Sequence, residues 1–280
     1  MGRGYSERAV LPFIALLAFF SSTFPQAETT LATAPSVIGE LQTYAVAPGD
    51  GLYAVARRFG LAFSAVARVN RIEKPNLVRA GKILTLPTRY IPPAIRQEGI
   101  LVNIPESRLY FFREGILKAV YPATVGVSTW RTPMGAFTVT VKLEDPSWSM
   151  PADLARAEKV QREVVAPGPD NPLGDYWIGT SLKHTGIHST NAPMTVGRPL
   201  SHGCVRLYPE HIEALFREVK VGETGEFIYE PVKAALDGED ILIEVLAAFD
   251  LGANLAHGGR LEYRDDLPLL AAPLDELRLP

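Results

Sequence analysis

The residues of this sequence best suited to chemistry lie in one short segment, Ser201 to Arg206 (SHGCVR). It contains Cys204, the only cysteine among 280 residues, with His202 two positions before it. A second histidine, His188, follows an apolar segment thirteen residues before Ser201. A cysteine attacks as the thiolate, and histidine accepts a proton near neutral pH. The sequence therefore contains a candidate nucleophile and two candidate bases, and spacing alone does not choose between the bases.

The same segment can also stabilise a negatively charged oxygen. Gly203 permits a tight turn that leaves its own N–H group and that of Cys204 exposed. Such donors, aimed at a developing oxyanion, stabilise the transition state of acyl transfer by about 3 to 4 kcal/mol each. The pattern therefore predicts attack of a thiol on a carbonyl carbon.

A zinc site is an alternative use of these side chains, since His184, His188, His202 and Cys204 are all of zinc-binding types. His184 and His188 are four residues apart and share a face in a helix or in a strand. No second cysteine or carboxylate motif joins them in the sequence. We therefore predict neither a metal nor another cofactor.

Composition and the N-terminus indicate where the protein works. The chain is 47% hydrophobic and 21% charged, with a net charge of −3, which is typical of a globular protein and argues against a nucleic-acid partner. In residues 1–27, Arg3 and Arg8 come before an uncharged apolar run from Ala9 to Phe20. This is the pattern of an export signal. An uncleaved N-terminal membrane anchor is the alternative. An unpaired cysteine in an exported protein also favours a chemical role for that cysteine.

After a flexible lead-in at 28–42 comes a small unit whose pattern is strand, helix, helix, strand. The predicted elements are a strand at Thr43 to Val46, a helix from Leu52 that Gly60 ends, a helix at Ser64 to Val69 and a strand at Ile83 to Leu86. Asp50 is placed to cap the first helix.

This unit, residues 43–87, resembles the LysM module, which binds the N-acetylglucosamine backbone of peptidoglycan or chitin. The matching residues are Tyr44, Val46, Gly49, Asp50, Leu52, Ala56, Phe59, Asn70, Leu77, Gly81, Leu84 and Pro87. The resemblance implies glycan binding by Gly49, Asp50 and Asn70. Gly51 departs from the pattern, where threonine is commoner, and its lack of a hydroxyl is expected to weaken sugar affinity.

Beyond a proline-containing linker at 88–97, short strands follow one another with turns between them. They are predicted at Ile100 to Ile104, Leu109 to Phe112, Ile116 to Val125, Ala136 to Val141 and Glu226 to Tyr229. This spacing favours an antiparallel sandwich or barrel. An insertion at Asp145 to Gly174 interrupts the strands, with a helix expected at Ala152 to Glu163, and a second helix begins at Pro209.

The segment Gly186 to Leu207 closely resembles the signature of the L,D-transpeptidase (YkuD-like) catalytic domain: a histidine after Gly-Ile, then Ser-His-Gly-Cys-Val-Arg. The likeness covers about residues 98–230. Further matches are Thr132, Pro133, Gly135, Phe137, Asn171, Pro172, Leu173 and Gly174. The resemblance implies a mainly β catalytic domain, a β-sandwich of mixed sheets with a short helix after the active-site turn. This domain would lie beside a small α+β LysM module. The branch that carries a LysM module is periplasmic.

The resemblance also assigns roles. It implies that Cys204 is the nucleophile, that His188 is its base and that the Ser189 carbonyl orients His188. His202 would line the oxyanion site with the N–H groups of Gly203 and Cys204. Arg206 and Ser201 would bind substrate or hold the turn. Ser189 stands where this branch usually has glycine, and little effect is expected because the main chain carries the role.

The implied reaction is acyl transfer on peptidoglycan tetrapeptide stems, with release of D-Ala through a cysteine acyl-enzyme. The acceptor amine would belong to another stem, giving a 3-3 crosslink, or to a protein such as an outer-membrane lipoprotein. Two alternatives stay open, a carboxypeptidase or amidase that uses water and a non-catalytic peptidoglycan-binding protein. The predicted segments are a signal peptide at 1–27, a lead-in at 28–42, LysM at 43–87, a linker at 88–97, the catalytic domain at 98–230 and a C-terminal extension at 231–280. Within the extension, one strand is predicted at Ile241 to Val245 and a partly ordered tail at 250–280.

Overall fold

The computed structural model describes residues 37–74, 78–93, 98–161, 164–237 and 240–246, and the backbone of 270–273. The predicted signal peptide and most of the predicted C-terminal tail lie outside these residues. Within the described part of the chain, no helix is long and apolar enough to cross a membrane.

The first unit has the predicted order of elements. They are β1 (Gln42–Ala45), α1 (Leu52–Arg58), α2 (Phe63–Val69) and β2 (Ile83–Leu86). The two strands pair antiparallel, with Tyr44 opposite Leu84. The prediction of a βααβ module is confirmed.

The helix α1 forms because its apolar residues recur at helical spacing. Leu52, Val55 and Ala56 are at most 1% exposed and pack against the buried residues of α2 and β2. Gly60, with φ +64°, ends the helix in a backbone conformation that favours glycine. The prediction that Asp50 caps α1 is wrong, since the N-cap residue is Gly51 and no side chain caps the helix.

The second unit is built on strands. Its elements are β3 (Gly99–Asn103), β4 (Arg108–Arg113), β5 (Ile116–Pro122), β6 (Val125–Gly126), β7 (Gly135–Glu144), β8 (Trp148–Ser149), α3 (Ala152–Glu158), β9 (Val164–Val165), β10 (Tyr176–Thr180), β11 (Gly186–His188), β12 (Pro199–Ser201), β13 (Val205–Arg206), α4 (Pro209–Glu218) and β14 (Thr224–Ile228). Eight strands form the main sheet in the order β13-β11-β10-β7-β14-β3-β4-β5, while β12 pairs with β6 and β8 with β9.

The main sheet is mixed and curls until its two ends meet. The pairs β14–β3 and β11–β13 are parallel, and the other pairs are antiparallel. Thr124, just after the edge strand β5, exchanges two backbone hydrogen bonds of 2.8 and 3.0 Å with Arg206 of the opposite edge strand. A mainly β domain with mixed strand pairing is therefore confirmed, and a purely antiparallel sheet is excluded.

The curled sheet encloses one core that α4 covers. Ile212 and Leu215 of α4 are fully buried and belong to the same core cluster as Ile187 and Val205. Pro209 occupies the first turn of α4, where its missing N–H costs no hydrogen bond, as the sequence predicted. The helix follows β13 after two residues, so the core fixes the segment that leaves Cys204.

The insertion and the C-terminal extension differ from the predictions. The helix α3 ends at Glu158 and not at Glu163, because Lys159 takes a left-handed conformation with φ +56°. The extension forms β15 (Val232–Asp237), β16 (Asp240–Val245) and β17 (Leu270–Pro273), where one strand was expected. These three strands form a separate antiparallel sheet.

Candidate active site

The turn between β12 and β13 holds Cys204 in a fixed backbone conformation. The Ser201 hydroxyl donates to the Cys204 carbonyl at 2.5 Å and accepts a hydrogen bond from the Gly203 N–H at 3.2 Å. Gly203 has φ +110°, which other residues rarely adopt, and an added Cβ would lie 3.3 Å from the Arg131 carbonyl oxygen. Ser201 is 1% exposed, so its hydroxyl serves the turn and does not face a substrate.

Strand pairing brings Cys204 beside the beginning of β11. Because Ile187 lies opposite Val205 and His188 opposite Arg206, the residues before them, Gly186 and Cys204, are also neighbours. The Cys204 thiol donates to the His184 carbonyl oxygen at 3.6 Å. The resting sulfur thus lies against the backbone of the loop that joins β10 to β11.

The same pairing places the predicted base and Arg206 on one face, next to the predicted nucleophile. Side chains alternate between the two faces of a strand, and Ile187 and Val205 point into the core, where both are fully buried. His188 and Arg206 therefore share the opposite face, and Cys204, which directly precedes β13, lies close enough to Arg206 for its charge to act on the sulfur.

The local environment keeps the Cys204 thiol protonated at rest. Burial raises the pKa of this thiol, and this effect exceeds the opposing effects of the Gly186 N–H and the Arg206 charge. A thiol in this state becomes nucleophilic only when a base removes its proton.

His188 is a neutral imidazole in this site. Burial, and then the positive charge of Arg206, lower its pKa to about 3, while the nearby carbonyl groups of Ser189 and Leu173 oppose this shift. The side chain is buried, and its Nδ1 atom has no hydrogen-bond partner of acceptable geometry among the described residues. The Ser189 carbonyl thus influences the His188 pKa through proximity, and the lowered pKa leaves a neutral imidazole that is a weaker base than free histidine.

Arg206 adds a positive charge without a matching acid. Burial lowers its pKa, the Cys204 sulfur raises it, and its Nε atom is buried without a hydrogen-bond partner. No carboxylate among the described residues forms an ion pair with it. Its charge is therefore available to a thiolate, an oxyanion or a substrate carboxylate.

His202, the second candidate base, faces a different environment. Its ring lies edge-on to Trp130, with 5.6 Å between ring centroids, and its Nε2 is 3.5 Å from Glu158 Oε1 at the end of α3. The side chain is 42% exposed. His202 thus connects the Cys204 turn to the insertion.

Trp177 positions His188, and sequence reasoning did not identify it. Its ring lies 5.7 Å from the His188 ring, directly across the β10–β11 pair. The same indole covers Gly179 and Gly186, which are also paired: an added Cβ on Gly186 would lie 2.3 Å from Trp177 Cη2. Two glycines within paired strands are the sequence signal that could have revealed this close approach.

The insertion is anchored next to the base by Asn171. Its side-chain amide donates to the Pro146 carbonyl at 2.7 Å, and its oxygen accepts from the Leu173 N–H at 2.9 Å. Asn171 is fully buried. These bonds fix the Leu173 carbonyl near His188.

In the LysM unit, two predicted glycan-binding side chains form hydrogen bonds with other residues of the same unit. Asp50 accepts hydrogen bonds from the Tyr44 hydroxyl at 2.5 Å and from Arg58 at 3.0 Å. The Asn70 side chain bonds both the N–H and the carbonyl of Thr85. Gly49 has φ +85° and open space around it. Asp50 and Asn70 therefore hold the connections between strands and helices.

The described residues contain no set of side chains arranged as ligands for the alternative zinc site. Among them, no group of three or more histidine, cysteine or acidic side chains is positioned to hold a metal ion.

Comparison with known proteins identifies a family for each of the two units. Residues 97–233 match the YkuD family, the L,D-transpeptidase catalytic domain, and residues 44–87 match the LysM domain. The chain is 31% identical to the probable L,D-transpeptidase YcfS of Escherichia coli, over 81% of this chain and 75% of that protein. It is 34% identical to the probable L,D-transpeptidase YbiS of the same species, over 72% of this chain and 68% of that protein.

Among solved structures, the catalytic domain of Enterococcus faecium L,D-transpeptidase aligns with a TM-score of 0.39 and 22% identity, over 48% of this chain and 99% of that one. The motif around Cys204, the two domain matches and the E. coli relatives agree. The chain belongs to the L,D-transpeptidase family and carries a LysM domain before its catalytic domain.

Proposed function

We propose that this protein is an exported, cysteine-dependent L,D-transpeptidase that acts on tetrapeptide stems of peptidoglycan in the periplasm. The observation that carries the proposal is the position of Cys204 directly before β13, where the charge of Arg206, on the same face as His188, acts on both side chains. The turn that holds Cys204 has a φ of +110° at Gly203, which favours glycine. Membership of the family supports the reaction class.

In the first step, His188 accepts the thiol proton as the Cys204 sulfur attacks the carbonyl carbon between the third stem residue and terminal D-Ala. The new C–S bond pushes the carbonyl electrons onto oxygen. The Cys204 N–H and the Arg206 charge stabilise this oxyanion, and the Gly203 N–H can join them if it releases Ser201. When the C–N bond breaks, His188 returns the proton to the departing amine of D-Ala.

In the second step, an amine attacks the thioester and gives a proton to His188, and the sulfur leaves. The proton then returns to the thiolate, so the enzyme is restored without a net change of charge. A stem-peptide amine would give a 3-3 crosslink, whereas a lysine of a lipoprotein would attach that protein to the wall.

The resting pair is neutral in this mechanism. Burial disfavours both the thiolate and the imidazolium, so proton transfer is coupled to attack on a bound substrate. This arrangement limits side reactions of an unpaired cysteine in an oxidising compartment.

The LysM unit would hold the enzyme on glycan strands. Gly49 and the connections that Asp50 and Asn70 maintain would shape the sugar-binding surface. Binding of glycan by this unit concentrates stem peptides near Cys204 through an increase in effective concentration.

The test is incubation of the purified protein with disaccharide tetrapeptides, followed by mass spectrometry. A dimer that has lost one D-Ala indicates crosslinking, and a free tripeptide indicates transfer to water. Cys204→Ala, checked for folding by circular dichroism, should abolish both products. Release of D-Ala by Cys204→Ala at the wild-type rate would refute the proposal, and no product with either protein would favour a protein acceptor or a binding role.

A further inference from the structure

A cavity of about 360 Å³ lies where the LysM unit, the catalytic domain and the C-terminal hairpin meet. Its walls come from the α1–α2 region, the β3–β4 turn, the segment before β12 and the end of β16. The volume is within the usual range of about 300 to 1,000 Å³ for small-molecule sites. None of the residues assigned to catalysis lines it.

The ionic groups at the floor of this cavity neutralise one another. Lys233, which is buried behind the wall, contacts Glu106 and lies 2.9 Å from Glu244. Arg108 pairs with Glu106 at 3.0 Å. Two positive and two negative side chains thus form a closed network with no net charge.

Two arginines on the wall are not neutralised. Arg68, in the last turn of α2, and Arg198, just before β12, both line the cavity and are exposed. Neither side chain has a hydrogen bond or an ion pair with any residue that the structure describes. They leave the cavity with a positive charge that a bound anion would balance.

Ser107 supplies a polar group for a ligand. It lines the cavity, is 4% exposed, and its Oγ has no hydrogen-bond partner among the described residues. A buried hydroxyl without a partner lowers stability unless a ligand or water binds it. The free hydroxyl and the two arginines together describe a site for an oxygen-rich anion.

We propose that this cavity binds a carboxylate of a second peptidoglycan stem peptide, different from the stem that loses its D-Ala. Arg68 and Arg198 would pair with the carboxylate, and the Ser107 hydroxyl would donate a hydrogen bond to it. The identity of the ligand rests on the proposed function, whereas its charge rests on the cavity alone. Because both domains contribute walls, ligand binding would also stabilise their contact.

The test measures binding separately from catalysis. Calorimetry is performed with the full chain carrying Cys204→Ala and a disaccharide tripeptide whose carboxylates are free. Adding Arg68→Gln and Arg198→Gln should weaken binding by about tenfold or more, since each removes a charged hydrogen-bond donor. Ser107→Ala should weaken binding by a smaller factor, and added salt should weaken binding to the Cys204→Ala parent.

Two controls separate this site from general charge attraction. Arg71→Gln removes an exposed arginine of the same unit that does not line the cavity, and it should leave the affinity unchanged. The same muropeptide with its carboxylates amidated should bind the parent protein as weakly as the double variant binds the free acid. Equal affinity of parent and double variant, or equal weakening by Arg71→Gln, would overturn the proposal. If the affinities are as expected but the protein with Cys204 intact releases no D-Ala from tetrapeptides, only the proposed function is refuted.

Discussion

The substitution Gly186→Ala should disable the enzyme through Trp177 while leaving the Cys204 side chain and the Gly186 N–H group in the chain. An added Cβ would lie 2.3 Å from Trp177 Cη2, whereas ordinary contacts begin at 3.4 Å, so the indole must move by at least 1.1 Å. The indole is flanked by Gly179 on the same face and by His188, and it cannot move without disturbing its contact with the base. The clash at Gly186 is therefore expected to displace the His188 ring through the Trp177 indole.

The expected magnitudes follow from packing and positioning. Overpacking of this kind costs about 1 to 3 kcal/mol of unfolding free energy. Displacement of a catalytic group by about 1 Å reduces the rate by on the order of 100-fold. We therefore expect kcat/KM for D-Ala release to fall by about two orders of magnitude, with only a modest loss of stability.

The assay combines steady-state D-Ala release, thermal unfolding and alkylation of Cys204. Gly51→Ala is the matched control, because its Cβ meets nothing within 4 Å and its φ of −100° suits alanine. In a Trp177→Phe background, Gly186→Ala should cost less, with a coupling energy of about 0.5 to 3 kcal/mol. Wild-type kcat/KM in Gly186→Ala, with unchanged tryptophan fluorescence, would refute the role assigned to Trp177.

Three further predictions follow from the charges. Since burial raises the pKa of Cys204, its alkylation rate should keep rising from about pH 6 to pH 9, and a plateau below about pH 7 would contradict a neutral resting pair. Because the Arg206 charge lowers the pKa of both Cys204 and His188, Arg206→Gln should raise both values, measurable by the alkylation profile and by NMR titration; opposite shifts would exclude this cause. The bidentate pair between Arg57 and Glu210 is partly exposed, so Arg57→Gln should cost less than about 1 kcal/mol in urea unfolding, and less still at high salt, and a loss above about 2 kcal/mol would indicate another role.

Local patterns in the sequence predicted the elements that short-range spacing determines. The strand at Ile83–Leu86 and the start of α4 at Pro209 are confirmed, because an apolar alternation and a proline in the first turn are local signals. The tight turn at Gly203 was also predictable, since a glycine between His202 and Cys204 permits the observed φ of +110°.

Other features depend on contacts between distant residues and leave little trace in sequence. The parallel pairing of β14 with β3 joins segments more than 100 residues apart, and nothing in either strand specifies its partner. The helix α3 ends early at Lys159, where no glycine or proline marks the end. The environment of His202 depends on Trp130 and Glu158, which lie in two other segments.

The register of one short strand pair links the core to the proposed chemistry. Ile187 and Val205 lie opposite each other and are fully buried, which fixes β11 against β13. A slip by one residue would turn His188 into the core and expose Ile187 on the face of Arg206, so the apolar core opposes it. The Thr124–Arg206 bridge pins the other edge of β13 and prevents the same slip from that side. The alignment of thiol, imidazole and guanidinium therefore depends on hydrophobic burial and backbone pairing on the side of the sheet away from the substrate.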